Sequence, residues 1–257
     1  MNNLSQAIYV EMLKARRSRM SLFTALGIML LPLAGGFFMV VLKDPEMARR
    51  VGLISAKARL VVGTADWPSY LGFLTQAVAG GGIVLFGLIV SWVFGREYSD
   101  RTAKDLLALP TSRSAIVLSK FVVVAAWSAA LTVLICLVGL GIGAAIGFPE
   151  APAQLILKGM GTVALAACMA IALVTPIAFF ASAGHGYLAP MGFLFLIVLL
   201  TQVIAVAGWG EYFPWSIPGM YSQGEVLGPV SYVIVGLTSL AGVVATLIWW
   251  EWSDLAH

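Results

Sequence analysis

Apolar residues dominate six stretches of the chain, and short polar segments separate these stretches from one another. Each stretch is longer than twenty residues and holds no Asp, Glu, Lys or Arg. A helix of about 20 residues crosses the hydrocarbon core of a membrane and satisfies its own backbone hydrogen bonds there. The pattern predicts one all-α transmembrane domain over residues 1–257. Its six predicted spans are residues 20–42, 70–95, 121–148, 159–183, 187–208 and 230–250.

The composition indicates the same class of protein. Hydrophobic residues make up 60% of the 257 residues and charged residues 11%, whereas an average soluble domain has about 25% charged residues. So few charges cannot cover the surface of a water-soluble domain of this size. Only Ser-Ala-Gly-His-Gly, residues 182–186, separates the fourth and fifth stretches. We expect a tight helical hairpin there, and a re-entrant pair is the alternative.

The distribution of basic residues predicts the orientation of the chain. Four basic residues precede the first span and five lie between the second and third, against six in the loops of the opposite side. Basic residues concentrate in cytoplasmic loops, so we expect both termini in the cytoplasm. On this topology residues 210–229, which are rich in aromatic side chains and have no basic residue, form an outer-face excursion. Residues 43–69 form a helical excursion on the same side.

The segment before the first span, residues 1–19, has the pattern of an amphipathic helix. Leu4, Ile8 and Met12 recur on one face, and a polar side includes Glu11 and Lys14. Such a helix can lie in the membrane interface with its basic end at the lipid headgroups.

Residues 96–120, between the second and third spans, form a charged segment. One charge at the centre of a bilayer costs about 2.5–3.5 kcal/mol, so this segment is predicted to lie outside the membrane, in the cytoplasm. Ser99 or Asp100 can cap a short helix, three leucines give that helix an apolar edge, and Pro110 ends it. The leucines either lie flat on the membrane or enter a groove on a partner.

The charged segment also carries a resemblance to a known family. The chain resembles permease subunits of type-2 ABC transporters, most closely those of the bacitracin-resistance type. The residues that carry the resemblance in this segment are Glu97, the run "SDRTAKDLLALPTSR" and Lys120. The basic helix before span one, the six spans and the run "YFPWSIP" are similar as well, so the resemblance covers essentially the whole chain. It implies an exporter permease, in the bacterial inner membrane, for an amphiphilic peptide antibiotic or a lipid-like compound.

The resemblance also implies partners. Residues 96–120 would hold a coupling helix that docks in a cleft of a separate ATPase subunit, and that subunit would bind ATP and Mg²⁺. Two ATPase subunits would power two permease subunits, which we expect to form a homodimer. The residues expected to make the ATPase contact are Glu97, Asp100, Arg101, Lys104, Leu106, Leu107 and Arg113.

Motif searches exclude several other functions. No lysine completes a phosphate-binding loop, and the chain has neither H-E-x-x-H nor G-x-S-x-G, so we expect no enzyme activity and no metal site. The predicted spans lack the ionisable residues on which secondary transporters usually depend. A docking or assembly protein without transport activity stays an alternative, and a secondary transporter is a further one.

Two Thr-Gln pairs are candidate pathway residues, Thr75-Gln76 in span two and Thr201-Gln202 in span five. The resemblance implies that these two spans line the transport path, and we hypothesise that the amides face a polar cavity. The alternative is a structural hydrogen bond between helices, worth about 0.6–2 kcal/mol.

Small and helix-breaking residues predict how some spans pack. Gly139, Gly143 and Gly147 recur every four residues in span three and favour close helix packing, within one subunit or between two. Pro32 in span one and Thr175-Pro176 in span four predict kinks.

Overall fold

The computed structural model describes residues 3–44, 64–100, 102 and 111–252. All regular structure within these ranges is helical, and six helical segments there are long and apolar enough to cross a membrane. The prediction of an all-α protein with six transmembrane helices is therefore confirmed. The described helices are α1 (Asn3–Arg17), α2 (Arg19–Lys43), α3 (Trp67–Ala77), α4 (Ile83–Ser99), α5 (Arg113–Ile146), α6 (Ala153–Leu173), α7 (Thr175–Ala183), α8 (Leu188–Val206), α9 (Ile217–Ser222) and α10 (Pro229–Trp252).

Some spans combine two helices. Span 1 is α2, and span 2 consists of α3, a π-helical turn at Val78–Gly82 (the π-turn) and α4. Span 3 is α5, span 4 combines α6 and α7, span 5 is α8 and span 6 is α10. The helical excursion predicted for residues 43–69 falls largely on residues 45–63, outside the described residues.

The helices of spans 2 and 3 extend beyond the uncharged runs that predicted them. Span 2 continues to Ser99. Span 3 begins at Arg113, because the Ser112 hydroxyl accepts a hydrogen bond from the amide of Ala115 at 3.3 Å and caps the helix. With 34 residues, span 3 is about 51 Å long and exceeds a hydrocarbon core of about 30 Å. The charged residues predicted to lie between these spans therefore include helical ones.

Spans 2 and 4 are the most buried of the six described spans. In span 2, 61% of the most apolar stretch is buried, whereas the corresponding share is 17% in span 5 and 22% in span 6. Span 5 consequently presents large apolar side chains outward, including Phe195, Leu199 and Val203. Such a surface requires lipid or another chain to cover it.

Span 4 is interrupted where the sequence predicts a kink. Pro176 has no amide hydrogen, so the carbonyl of Ala172 loses its usual helical donor. The Thr175 hydroxyl donates to that carbonyl at 2.8 Å and lies 3.0 Å from the carbonyl of Ser239 in span 6. A Cβ at Gly242 would lie 2.5 Å from the nitrogen of Pro176, so the close approach of span 6 requires glycine there. Pro32, by contrast, lies within the uninterrupted helix α2.

The segment between spans 5 and 6 folds against the spans. It forms two short 3₁₀ turns, Gly210–Tyr212 and Pro214–Ser216, before α9. The indole nitrogen of Trp215 donates to the carbonyl of Leu173 at 3.0 Å. That carbonyl is available because helix α6 ends at Leu173. The position of this segment at the outer face of the membrane stays a prediction.

Candidate functional site

A cavity of about 920 Å³ lies between spans 1, 2 and 5 and is bounded at one end by α9. Its size falls within the range of sites that hold drug-sized molecules. Aromatic and aliphatic side chains form most of the wall. The residues that contribute to the lining include Phe38, Ser69, Phe73, Gln76, Gly80, Gly81, Val84, Ile197, Thr201, Gln202, Trp215, Met220 and Gln223.

The polar groups of the cavity are uncharged. None of its lining residues, all within the described part of the chain, is Asp, Glu, Lys, Arg or His. The side-chain amides of Gln76 and Gln202 have no hydrogen-bond partner among the described residues and are exposed to the cavity. An amide offers both a donor and an acceptor, so these two groups can bind neutral polar groups of a bound molecule.

The structure separates the four candidate pathway residues. Gln76, Thr201 and Gln202 line the cavity, and the Thr201 hydroxyl donates to the carbonyl of Ile197 at 2.7 Å. Thr75 is 3% exposed and points away from the cavity. Its hydroxyl donates to the carbonyl of Leu71 at 2.8 Å and lies 3.3 Å from the hydroxyl of Thr162 in span 4. The interhelical alternative fits the position of Thr75, and the cavity hypothesis fits those of Gln76, Thr201 and Gln202.

Four charged residues meet at the other end of span 2, and we call Glu11, Lys14, Glu97 and Lys120 the ion cluster. The ammonium of Lys120 lies 3.0 Å from Oε1 of Glu97 and 3.2 Å from Oε2 of Glu11. It also donates to the carbonyl of Val93 at 3.1 Å. Lys14 lies 2.8 Å from Oε1 of Glu11 and 3.0 Å from Oε1 of Glu97. Two carboxylates and two ammonium groups thus meet here, and Nε of Arg96 lies 3.5 Å from Oε1 of Glu97 at the edge of the cluster.

The ion cluster joins the N-terminal helix to spans 2 and 3. Glu11 is 5% exposed, Glu97 is 3% exposed and Lys120 is fully buried. The polar face of α1 is thus partly turned toward the spans, while Leu4 and Tyr9 stay exposed. Removal of one partner from a buried ion pair costs about 3–5 kcal/mol, because the other charge is left without compensation. The predicted position of α1 in the membrane interface remains a prediction.

The ion cluster was not foreseen as a unit, although its residues adjoin predicted spans. Glu11 and Lys120 are 109 positions apart in the sequence, so no local pattern indicates that they meet. The available signals were the three-residue spacing of Glu11 and Lys14 and the place of Lys120 directly before an uncharged run.

The structure describes three of the seven residues predicted for the ATPase contact. Glu97 is buried in the ion cluster, and its Oε2 accepts a hydrogen bond from the Thr102 hydroxyl at 2.8 Å. Asp100 is exposed at the end of α4. The guanidinium of Arg113 donates to the carbonyls of Trp250 and Glu251, at 3.1 and 3.2 Å, at the end of span 6. The others, Arg101, Lys104, Leu106 and Leu107, lie outside the described residues.

The three repeated glycines of span 3 occupy two kinds of position. A Cβ at Gly139 would lie 2.8 Å from Leu74, and one at Gly143 would lie 2.5 Å from the ring of Trp67. Both glycines thus lie against α3 of the same chain. Gly147 has a φ of 65°, ends the helix in the left-handed conformation and has nothing within 4 Å of its Cβ position. It therefore serves as the helix end, and no side chain of the described chain packs there.

Comparison with known proteins gives two findings. The sequence profile of the family described as "ABC-2 family transporter protein" matches residues 7–201. The bacitracin transport permease protein BCRB of Bacillus licheniformis is 26% identical over 178 residues, which are 68% of this chain and 86% of that protein. The range 7–201 includes the whole ion cluster, Gln76 and Thr201, and it ends one residue before Gln202.

Proposed function

The chain belongs to the ABC-2 family of transporter proteins, and from this premise we propose that it is the membrane-spanning permease subunit of an ATP-driven exporter. The observation that carries the proposal is the uncharged cavity between spans 1, 2 and 5. It combines apolar walls with two amides that have no partner in the described chain. A path for an amphiphilic molecule needs both kinds of surface, and the cavity is part of that path.

The energy for transport comes from a separate ABC ATPase subunit, which binds ATP and Mg²⁺. This assignment is supported by the family and by the absence of a phosphate-binding loop from the sequence. The segment 96–120 makes the contact. Glu97 anchors its start to α1 and span 3, and Arg113 anchors its end to span 6. A displacement of the segment is therefore transmitted to several spans at once.

The assembly consists of two permease and two ATPase subunits in the bacterial cytoplasmic membrane, with both termini of the permease in the cytoplasm. The exposed apolar face of span 5 supports a second permease copy, which we propose to be identical to the first. The substrate is an amphiphilic compound, either a peptide antibiotic or a lipid-like molecule. Similarity to a bacitracin transport permease supports the peptide alternative.

The docking assignment is tested by purification of the tagged chain from its native membrane. We expect an ABC ATPase to co-purify with the unchanged chain and to be lost from Leu106→Asp/Leu107→Asp, because two charges prevent the leucines from entering an apolar groove. The matched control is Val226→Asp. This exposed position follows α9, the helix that bounds the cavity. It should retain the ATPase.

Two results would contradict the proposal. Retention of the ATPase by the double variant would place the contact elsewhere on the chain. Absence of any nucleotide-binding subunit from well-folded, abundant protein would remove the energy source. A membrane docking protein would then be the better interpretation.

A further inference from the structure

The π-turn divides span 2 into two α-helical halves. Such turns are rare, occur mostly as single turns within α-helices and are frequent at functional sites. Each hydrogen bond of a π-turn reaches five residues along the chain instead of four, so the turn holds one residue more than the α-helical turn it replaces. One residue of an α-helix corresponds to a rotation of about 100°. The residues of α4 are therefore rotated by about 100° about the helix axis, relative to the positions that a regular helix continuing α3 would give them.

The offset decides which residue near the end of span 2 lies beside Lys120 of span 3. In α3, Trp67 lies against Gly143 and Leu74 lies against Gly139. Residues that lie about 29 or about 22 positions apart, which is eight or six full turns, point to the same side of a regular α-helix. Counted from Trp67 or from Leu74, a regular helix would place Arg96 on the face of span 2 that carries these two side chains. The residue that pairs with Lys120 of span 3 is instead Glu97, one position further along the chain.

The offset matters at both ends of the span. If α3 kept its contacts in a regular helix, Arg96 would take the place of Glu97 beside the buried ammonium of Lys120, and two like charges would meet. If α4 kept the ion pair instead, α3 would turn by about 100°. Gln76 would then leave the cavity that it lines in the structure.

Packing explains Gly82, where a Cβ would lie 3.3 Å from the ring of Phe86, but it does not explain Gly80 and Gly81. A Cβ at Gly80 would meet nothing within 4 Å, and one at Gly81 would make an ordinary contact of 3.4 Å with Leu31. Glycine is less favourable than alanine in a helix by about 1 kcal/mol. A run of three glycines therefore lowers the preference for regular α-helix at the point where the extra residue is held. Two of them, Gly80 and Gly81, also line the cavity.

We infer that the π-turn at Gly80, Gly81 and Gly82 sets the register of span 2, because its extra residue lets Gln76 face the cavity while Glu97 pairs with Lys120. This register is a property of span 2 itself. Its consequence for transport rests on the proposed function.

The inference is tested by removal of Gly81 and, separately, by insertion of one alanine after Gly81. Removal of the extra residue converts the π-turn to α-helix and leaves both halves in place. Insertion adds a second extra residue and forces a further rotation of about 100°. In a regular helix, either change would rotate one half of the span against the other by about 100°, so deletion and insertion would have effects of similar size. A span that tolerates deletion and not insertion is therefore the signature of the π-turn.

The readout is the reactivity of single cysteines in the full-length chain, in membrane fragments, with Cys136→Ala and Cys168→Ala as the background. The probe is a small sulfonated methanethiosulfonate. Gln76→Cys should react and Thr75→Cys, at a buried position, should not. We expect the Gly81 deletion to retain this contrast within about twofold, and the insertion to lower the reactivity at position 76 by tenfold or more.

Several outcomes would overturn the inference. They are loss of the contrast in the deletion variant, failure of that variant to accumulate, and equal tolerance of deletion and insertion. Gly80→Ala, which fits without displacing a neighbour, is a second variant and should retain the contrast. Labelling uses neither substrate nor ATP. If the contrast follows the expectation and transport is absent, the register stands and the proposed function fails.

Discussion

Lys120 has no solvent exposure, although its side chain carries a charge. Three oxygen atoms compensate its ammonium, from Glu97, Glu11 and the backbone of Val93. Desolvation of a charge costs several kcal/mol, so the geometry of all three contacts is needed to offset it. The ion cluster therefore makes the position of α1 depend on spans 2 and 3, at the point where the charged segment leaves span 2.

Lys120→Met should destabilise the chain by about 3–5 kcal/mol, because it removes the buried ammonium that lies between the carboxylates of Glu11 and Glu97. Glu97→Gln combined with Lys120→Met should cost less than Lys120→Met alone, since Glu11 and Lys14 then still balance. The measurement is thermal unfolding of the purified protein in detergent, analysed as a double-mutant cycle. The control is Lys158→Met at an exposed position, with an effect within about 0.5 kcal/mol. Additive effects of the two changes would contradict the pairing.

At the scale of the helices, span 3 depends on glycines where it meets α3. Gly143 lies against the ring of Trp67, whereas Gly141, two residues earlier, has nothing within 4 Å of its Cβ position. The repeat of glycines in the sequence indicated a close helix contact, but it did not show whether the other helix belongs to the same subunit or to a second one. The contact lies within the chain because Trp67 and Leu74 recur on one face of α3.

Gly143→Ala should destabilise the chain by about 1–3 kcal/mol, because the new methyl group overlaps the Trp67 ring. Gly141→Ala is the matched substitution in the same helix and should be neutral, or stabilising by up to about 1 kcal/mol, since alanine favours the helix. Apparent melting temperatures of the two variants in one detergent decide between these effects. Equal melting temperatures would show that span 3 does not approach α3 as described.

At the scale of the whole molecule, the cavity exists only because spans 1, 2 and 5 and α9 come together. Gln76 and Gln202 are 126 positions apart in the sequence and line the same space. Neither amide has a partner in the described chain, so their replacement removes no hydrogen bond of the fold there.

Gln76→Leu combined with Gln202→Leu should lower transport at least fivefold and leave assembly with the ATPase unchanged. The physical reason is the loss of two groups that bind polar parts of the substrate, each worth about 0.5–1.5 kcal/mol. Export is measured in vesicles loaded with a fluorescent amphiphilic peptide. Gln154→Leu, exposed at the start of α6 and outside the cavity, is the control. Transport at the unchanged rate would exclude these amides from the path.

The sequence by itself determined the class of the protein, because more than twenty uncharged apolar residues in lipid must satisfy their own backbone hydrogen bonds as helix. It also indicated the interruption at Pro176, since proline lacks the helical donor. Only the tertiary structure decided that Gln76 faces a cavity while Thr75 is buried, and that Glu11 reaches Lys120. These contacts depend on the rotation of each helix about its axis. In span 2 that rotation is set by the one extra residue of the π-turn, which apolar patterning does not reveal.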